Sequence, residues 1–242
     1  MATNARTAAQ RRRAEPAGPE RDGGNVVPLA RATAPEAGRV LDLVRYEARP
    51  HYVRLYRHPR LARLTSRALT RGDYVATLDR LYGFFAPLDL WLVGALAPWA
   101  GELDLASRAK SPLIARDLVA LGAREGRLGL PSPLLDPPSR RDPLYATGWL
   151  YGVELSLLAG PVVTRRLAET LGIGPATGAA FFHGGGADRP AAWRSLTAFL
   201  AARLATPSDR NAVISGVADM FEAACAALTA ETAGDDSRPS RD

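Results

Sequence analysis

Two arginines and a tyrosine near the start of the apolar part of the chain have the spacing of a binding surface. Arg45 and Arg49 lie seven and three residues before Tyr52, which places all three side chains on one face of a helix. Guanidinium groups hold carboxylates through charge-assisted hydrogen bonds. Each arginine alone is also consistent with a solvated surface residue. Together they predict a basic rim that accepts an anionic ligand.

Several other kinds of site lack the residues they need. The 242-residue chain has three histidines, and none of them completes the Glu-x-x-His pattern of helical di-iron sites. A single cysteine, Cys225, excludes cysteine-based metal sites, and its apolar surroundings predict a buried core residue. The glycine run 184–186 has no following Lys-Ser/Thr pair, so it does not indicate a phosphate loop. These chemistries are therefore not expected.

The charge and hydropathy of the chain limit its partners. The net charge is +6, and arginine supplies 30 of the 31 basic residues. No basic stripe interleaved with aromatic residues indicates nucleic-acid binding. No run of about 18 uniformly apolar residues indicates a membrane span. We therefore expect a cytoplasmic protein that binds neither nucleic acid nor membrane.

Apolar residues recur at spacings of three and four between about residues 40 and 228, which predicts an all-α fold with about seven or eight helices. Thr70, with Asp73 three residues later, predicts the start of a helix that runs from about 71 to 97 unless Pro87 kinks it. The expected organisation is a single helical domain at 39–230. Polar segments at 1–38 and 231–242 are expected to be disordered tails.

Four blocks of this helical region carry a family pattern. They are 49–55 (Arg-Pro-His-Tyr-Val-Arg-Leu), 81–88 (Leu-Tyr-Gly-Phe-Phe-Ala-Pro-Leu), 148–163 (Gly-Trp-Leu-Tyr-Gly-Val-Glu-Leu-Ser-Leu-Leu-Ala-Gly-Pro-Val-Val), and Phe181-Phe182 with Trp193. In this order they resemble bacterial biliverdin-producing heme oxygenases of the type that accompanies phytochromes. The resemblance covers about 40 to 228 and implies a heme oxygenase-like multi-helical bundle.

The resemblance also implies a reaction and a cofactor. Heme serves as both substrate and prosthetic group in this family, and an imidazole from the first helix ligates its iron. A distal helix lies so close to the porphyrin that only glycine backbone fits there. Electrons from a reductase or a ferredoxin then drive ring opening to biliverdin, carbon monoxide and ferrous iron. A bacterial phytochrome-pathway partner is implied in the same way.

Aligned with the family, the first helix departs from the pattern at the iron ligand. The position of the ligand histidine holds Tyr52, and His51 lies one residue early. One residue is about 100° of rotation on a helix, so His51 replaces the ligand only after a shift of register. A tyrosinate can ligate ferric heme, although it makes the iron harder to reduce. Tyr52 is therefore the candidate axial ligand, and His51 is the alternative.

The distal segment also departs from the family pattern. Gly160 matches the second glycine of the family's pair, Ala159 replaces the first, and Leu155 replaces the glycine one turn earlier. A leucine at that position crowds the porphyrin face. Ser156 falls where some relatives carry an acid that organises distal water, although its own backbone competes for the hydroxyl. These four residues are expected to line an altered distal pocket; in the alternative, Leu155, Leu158 and Val162 fill a helical core.

The resemblance places one more basic residue beside the heme. Arg194 lies twelve residues after Phe182, where the family carries a basic side chain. With Arg45 and Arg49 it is expected to pair with the heme propionates.

Two functions follow from these residues, and the sequence leaves both open. The first is a heme oxygenase that opens heme with Tyr52 or a shifted His51 as axial ligand. The second is a catalytically inactive module of the same fold that binds heme, a bilin or a partner protein in a regulatory role. The substitutions at positions 52, 155 and 159 favour the second function.

Overall fold

The computed structural model describes residues 37–123, 135–184 and 189–230. Within these ranges the chain forms eleven α-helices and no strand, which confirms the all-α prediction. The predicted tails lie outside these ranges, except that α1 already begins at Ala37. The helices are α1 Ala37–Tyr56, α2 Pro59–Arg63, α3 Arg71–Ala95, α4 Ala100–Leu103, α5 Leu105–Arg108, α6 Ser111–Ala120, α7 Pro143–Ser156, α8 Gly160–Leu171, α9 Ala180–His183, α10 Arg189–Ala201 and α11 Pro207–Thr229.

The predicted start of α3 is confirmed at atomic detail. The Thr70 hydroxyl accepts a hydrogen bond from the backbone N–H of Asp73 at 3.1 Å, and the Asp73 carboxylate accepts the Thr70 N–H at 3.0 Å. This reciprocal cap satisfies two N–H groups that the helix leaves without partners. Pro87 lies inside the helix, which continues to Ala95. Helix α3 therefore provides a long wall for the bundle.

Close packing of α7 against α11 forms the centre of the bundle. A Cβ atom added to Gly148 would lie 2.3 Å from the backbone oxygen of Val213, and one added to Gly216 would lie 2.1 Å from that of Tyr145. Glycine at these two positions lets the helix backbones approach more closely than any side chain would allow. Helix α7 is thereby held deep in the core.

Helix α11 is apolar enough to cross a membrane by length and composition, with a mean hydropathy of 1.4. Half of the stretch concerned is buried within the protein. The helix packs against α1 and α7, and its Met220 and Phe221 belong to the main hydrophobic core. Its central position in the bundle accounts for its apolar character. Cys225 is 7% exposed on the same helix, as its surroundings predicted.

A buried ion pair fixes α7 relative to α6. Nζ of Lys110 lies 2.9 Å from Oε1 of Glu154, and a guanidinium nitrogen of Arg108 lies 3.6 Å from the same oxygen. The Asp89 carboxylate accepts the backbone N–H groups of Lys110 and Ser111, at 3.0 and 2.7 Å. Because Glu154 is almost fully buried, its carboxylate needs these cations close by. The pair holds the C-terminal end of α7 in place.

Candidate functional site

The segment expected to form one distal helix is broken in the middle. Helix α7 ends at Ser156, a short 3-10 turn covers Leu157–Ala159, and α8 begins at Gly160. Pro161 has no N–H group, so it cannot donate the helical hydrogen bond to the Leu157 oxygen. That oxygen accepts the backbone N–H of Gly160 and a hydrogen bond from the Arg189 guanidinium of α10. The break therefore offers backbone oxygens to side chains from other helices.

Tyr56, at the C-terminal end of α1, binds a second oxygen at the break. Its hydroxyl donates a hydrogen bond to the backbone oxygen of Ser156. Burial raises the pKa of Tyr56 well above its ordinary value, and the neighbouring Tyr52 acts in the same direction. The phenol therefore stays protonated at neutral pH and remains a donor. This bond, which we call the tyrosine bridge, joins α1 directly to the end of α7.

Gly160 lets α8 begin directly against α9. A Cβ atom at Gly160 would lie 2.1 Å from the backbone oxygen of Phe182. Helix α9 is fixed by Asp117, whose two carboxylate oxygens accept the N–H groups of Ala180 at 2.7 Å and Phe181 at 2.8 Å. The family resemblance assigned this glycine to a close approach by porphyrin. In the structure the close approach is made by protein backbone.

A cavity of about 460 Å³ lies beside the tyrosine bridge. It is bounded by the C-terminal end of α1, by α2 and α3, by the break between α7 and α8, and by α9 and α11. Its polar wall residues are few, and two of them, Arg57 and Thr65, are exposed to solvent at its mouth. The deep wall is apolar and buried, with Leu64, Leu81, Phe84, Phe85, Phe181 and Phe182.

Of the predicted distal residues, three lie together on this cavity. Ser156, Ala159 and Gly160 all line it. The Ser156 hydroxyl donates to the backbone oxygen of Val153 at 2.7 Å, as the expected competition from its own backbone requires. Leu155 is 1% exposed, belongs to the core and is not part of the cavity wall. The cavity thus takes in part of the predicted distal pocket.

Neither candidate axial ligand lines this cavity. Tyr52 is 3% exposed, with its ring centroid 4.5 Å from that of Tyr56 and 5.9 Å from that of Phe221. Burial raises its pKa, which favours the neutral phenol over the tyrosinate that would bind iron. His51 faces α11, where its Nδ1 lies 2.9 Å from a carboxylate oxygen of Glu222. Their roles as ligands stay predictions.

The predicted basic rim is only partly assembled, and it lies away from the cavity. The Arg45 guanidinium donates to the hydroxyl of Tyr151 at 3.1 Å and lies 5.9 Å from the ring centroid of Trp193. Arg49 and Arg194 are exposed. Arg45 precedes the tyrosine bridge by eleven residues, which is about 16 Å along a helix axis. The structure does not place these arginines around the cavity.

The contacts between α1 and α7 determine whether a porphyrin fits between them. The Arg45–Tyr151 hydrogen bond joins the two helices at one level and the tyrosine bridge joins them at another. Between these levels the buried side chains are Ala48, Tyr52 and Leu55 on α1 and Val153, Glu154 and Leu155 on α7. A porphyrin inserted between the two helices would have to break both hydrogen bonds. The residues present therefore do not fit heme between α1 and α7.

Three important residues were missed at the level of sequence. Tyr56 lies four residues after Tyr52 and so shares its helical face, which could have marked it. Pro161 directly follows the glycine of the distal motif and could have indicated the break. Nothing in the local sequence of Arg189 indicates its bond to Leu157, because the two are 32 residues apart.

No protein-family model matches the sequence, and no curated protein matches it. Among solved structures, a heme oxygenase from Leptospira interrogans has a similar fold, with a TM-score of 0.59. The two chains are 12% identical, and the match covers 78% of this chain and 98% of the other. Together with the helical architecture, this likeness establishes a heme oxygenase-like all-α fold.

Proposed function

We propose that this protein is a non-catalytic module with a heme oxygenase-like fold that binds a small apolar molecule in the cavity beside Tyr56. The tyrosine bridge is the observation on which the proposal rests, because it joins α1 to the end of α7 directly beside the cavity, and Tyr56 itself lines that cavity. The proposed role is that of a carrier or a sensor.

The size and lining of the cavity support ligand binding. Ligand sites commonly have volumes of about 300–1,000 Å³ and predominantly apolar walls, and this cavity has about 460 Å³. Its deep aromatic wall offers apolar area, and each buried methylene group of a ligand would contribute about 0.8 kcal/mol. The hydroxyls of Ser156 and Thr65 already donate to backbone oxygens at 2.7 and 3.1 Å. Apolar contact therefore dominates the recognition.

The same wall residues argue against redox chemistry on iron. Tyr56 lines the cavity as a neutral phenol that is engaged with the Ser156 oxygen. Met220 also lines it, but a thioether is a weak ligand that normally accompanies a histidine in heme proteins. None of the three histidines is on the wall. The side chains here are suited to hold an apolar molecule, not to ligate a metal.

Dye and hemin titrations test the proposal directly. We expect saturable binding of the neutral, polarity-sensitive dye Nile red to the purified protein, with an increase in its fluorescence. The variant Ala62→Trp places a large ring at the exposed mouth of the cavity and should abolish that increase. Ala68→Trp, at an exposed position outside the cavity wall, is the matched control. Dye binding that is unchanged in Ala62→Trp would contradict the proposal.

Heme opening is the second candidate function, and the fold similarity is the observation that favours it. It needs heme, and a reductase or ferredoxin as electron donor. Stoichiometric hemin binding with a sharp Soret band, followed by biliverdin absorbance after reduction, would establish it. The double substitution Tyr52→His with Leu155→Gly should then raise turnover. No gain in hemin binding from that double variant would count against a heme site.

The proposal also includes the location of the protein and its partners. A cytoplasmic location agrees with the core position of α11, and a phytochrome-pathway partner agrees with the family resemblance at the level of sequence. Bilin binding is a further form of the non-catalytic role. Adding biliverdin to the dye-bound protein tests it, because competition would displace Nile red.

A further inference from the structure

Arg57 lies at the mouth of the cavity, directly after the bridging tyrosine. Its side chain is exposed, and its guanidinium makes no hydrogen bond or ion pair with any residue that the structure describes. The neighbouring Arg54 differs, because it forms an ion pair with Glu222. The donors of Arg57 are therefore available to a ligand that enters the cavity.

The charge of the cavity wall is one-sided. Among the described residues of the cavity wall, Arg57 alone is charged, and none carries a carboxylate. The hydroxyls of Tyr56, Ser156 and Thr65 all donate to backbone oxygens. Arg57 thus supplies the free N–H donors at this site. A guanidinium in that position binds an anionic group and repels a cationic one.

The shape of the cavity separates the charge from the apolar part. Arg57 and Thr65 are exposed at the mouth, whereas Phe84 and Phe181 are buried in the deep wall. The cavity volume of about 460 Å³ lies within the range of about 300–1,000 Å³ that is common for sites of small ligands. This space suits a chain of medium length with one polar end at the mouth.

We infer that the ligand is a monoanionic amphiphile, such as a medium-chain carboxylate, whose head group pairs with Arg57 and whose apolar chain fills the cavity. The inference rests on the proposed function, since it names the chemical class of the molecule bound there. One cation at the mouth matches one carboxylate, whereas heme and bilins carry two propionates. The hydrocarbon chain contributes affinity by burial, and Arg57 selects the charge of the head group.

Calorimetric titration with three probes of equal chain length tests this inference. Dodecanoate, dodecanol and dodecyltrimethylammonium are each added to the full-length protein below the concentration at which they form micelles. We expect dodecanoate to bind most tightly and the cation least. Arg57→Ala should weaken dodecanoate binding about tenfold, the effect of losing one charge-assisted contact, and leave dodecanol binding unchanged. Arg57→Lys should restore part of the loss.

Two control variants test whether the changes in affinity arise from Arg57 and from the cavity. Arg67→Ala removes an exposed arginine outside the cavity wall and should leave all three affinities unchanged. Ala62→Trp, which blocks the mouth, should weaken both dodecanoate and dodecanol. Both substitutions, like Arg57→Ala, are at exposed positions, so the fold is expected to survive them. Circular dichroism checks this point.

The outcomes distinguish the inference from the proposed function. Equal binding of dodecanoate and dodecanol, with no effect of Arg57→Ala, would overturn the anionic head group and leave apolar binding intact. No saturable binding of any probe, or binding that Ala62→Trp does not change, would overturn the proposed function and the inference together.

Discussion

Lys110, the one lysine of the chain, forms an ion pair with Glu154 inside the bundle, with 2.9 Å between Nζ and Oε1. Both residues are at most 8% exposed. Glu154 lies directly before Leu155 and Ser156 at the end of α7. The pair therefore positions the C-terminal end of α7, whose Ser156 backbone oxygen takes part in the tyrosine bridge.

We expect Lys110→Met to lower the free energy of unfolding by about 3–5 kcal/mol, because it leaves a buried carboxylate without its closest cation. Arg108, at 3.6 Å, should place the loss at the lower end of that range. Urea denaturation measures it. The double variant Lys110→Met with Glu154→Gln should recover part of the stability. Equal losses in the single and double variants would show that the ion pair itself is unimportant.

Tyr56→Phe removes the hydroxyl that binds the Ser156 oxygen and keeps the ring. The expected cost is about 1–3 kcal/mol of unfolding free energy, since a partly buried carbonyl loses its partner. Thermal denaturation is the measurement. Tyr46→Phe is the matched control, because Tyr46 is 72% exposed and should tolerate the change. If both variants are as stable as the original protein, the tyrosine bridge does not hold α1 against α7.

Gly160→Ala places a methyl group where 2.1 Å separates the Cβ position from the Phe182 oxygen. Helix α8 or α9 must move, and we expect a loss of about 1–3 kcal/mol in unfolding free energy together with weaker Nile red binding. Gly101→Ala serves as the control, because no atom lies within 4 Å of its added Cβ. It should be neutral or slightly stabilising. Undiminished stability of Gly160→Ala would show that α9 lies further from the break.

The contacts of Glu222 with His51 and Arg54 can be tested through the pH dependence of stability. Hydrogen bonding from His51 lowers the pKa of its carboxyl below the ordinary 4.5, and Arg54 adds to the effect. A lowered pKa stabilises the folded state above the ordinary value, and the contribution is lost as the pH falls through the folded pKa. Glu222→Gln should therefore cost up to about 1 kcal/mol near pH 6, a small loss because the pair is exposed.

The same difference should disappear at acid pH, below the lowered pKa of the folded state, where the carboxyl is protonated in both states. Denaturant midpoints of the two proteins at the two pH values measure it. Glu47→Gln, at an exposed position of α1, should be neutral at both. A destabilisation of Glu222→Gln that persists unchanged at low pH would show that the contact is not electrostatic.

The sequence by itself determined the class of fold and the start of its longest helix. Apolar spacings of three and four residues predict amphipathic helices because a helix repeats every 3.6 residues. The cap at Thr70 and Asp73 is likewise a local interaction. The order of the four sequence blocks, read as a family resemblance, indicated the heme oxygenase-like fold that the structural comparison supports.

Tertiary structure alone decided the site. Tyr56 and Ser156 are 100 residues apart, and Lys110 and Glu154 are 44 apart. Local patterns cannot predict such contacts, because they depend on how far each helix slides and turns against the next. Gly160 shows the limit most clearly. The resemblance at the level of sequence implies a close approach by porphyrin at this glycine, and only the folded bundle shows a close approach by the backbone of Phe182. Helix packing, driven by burial of apolar side chains, fixed that choice.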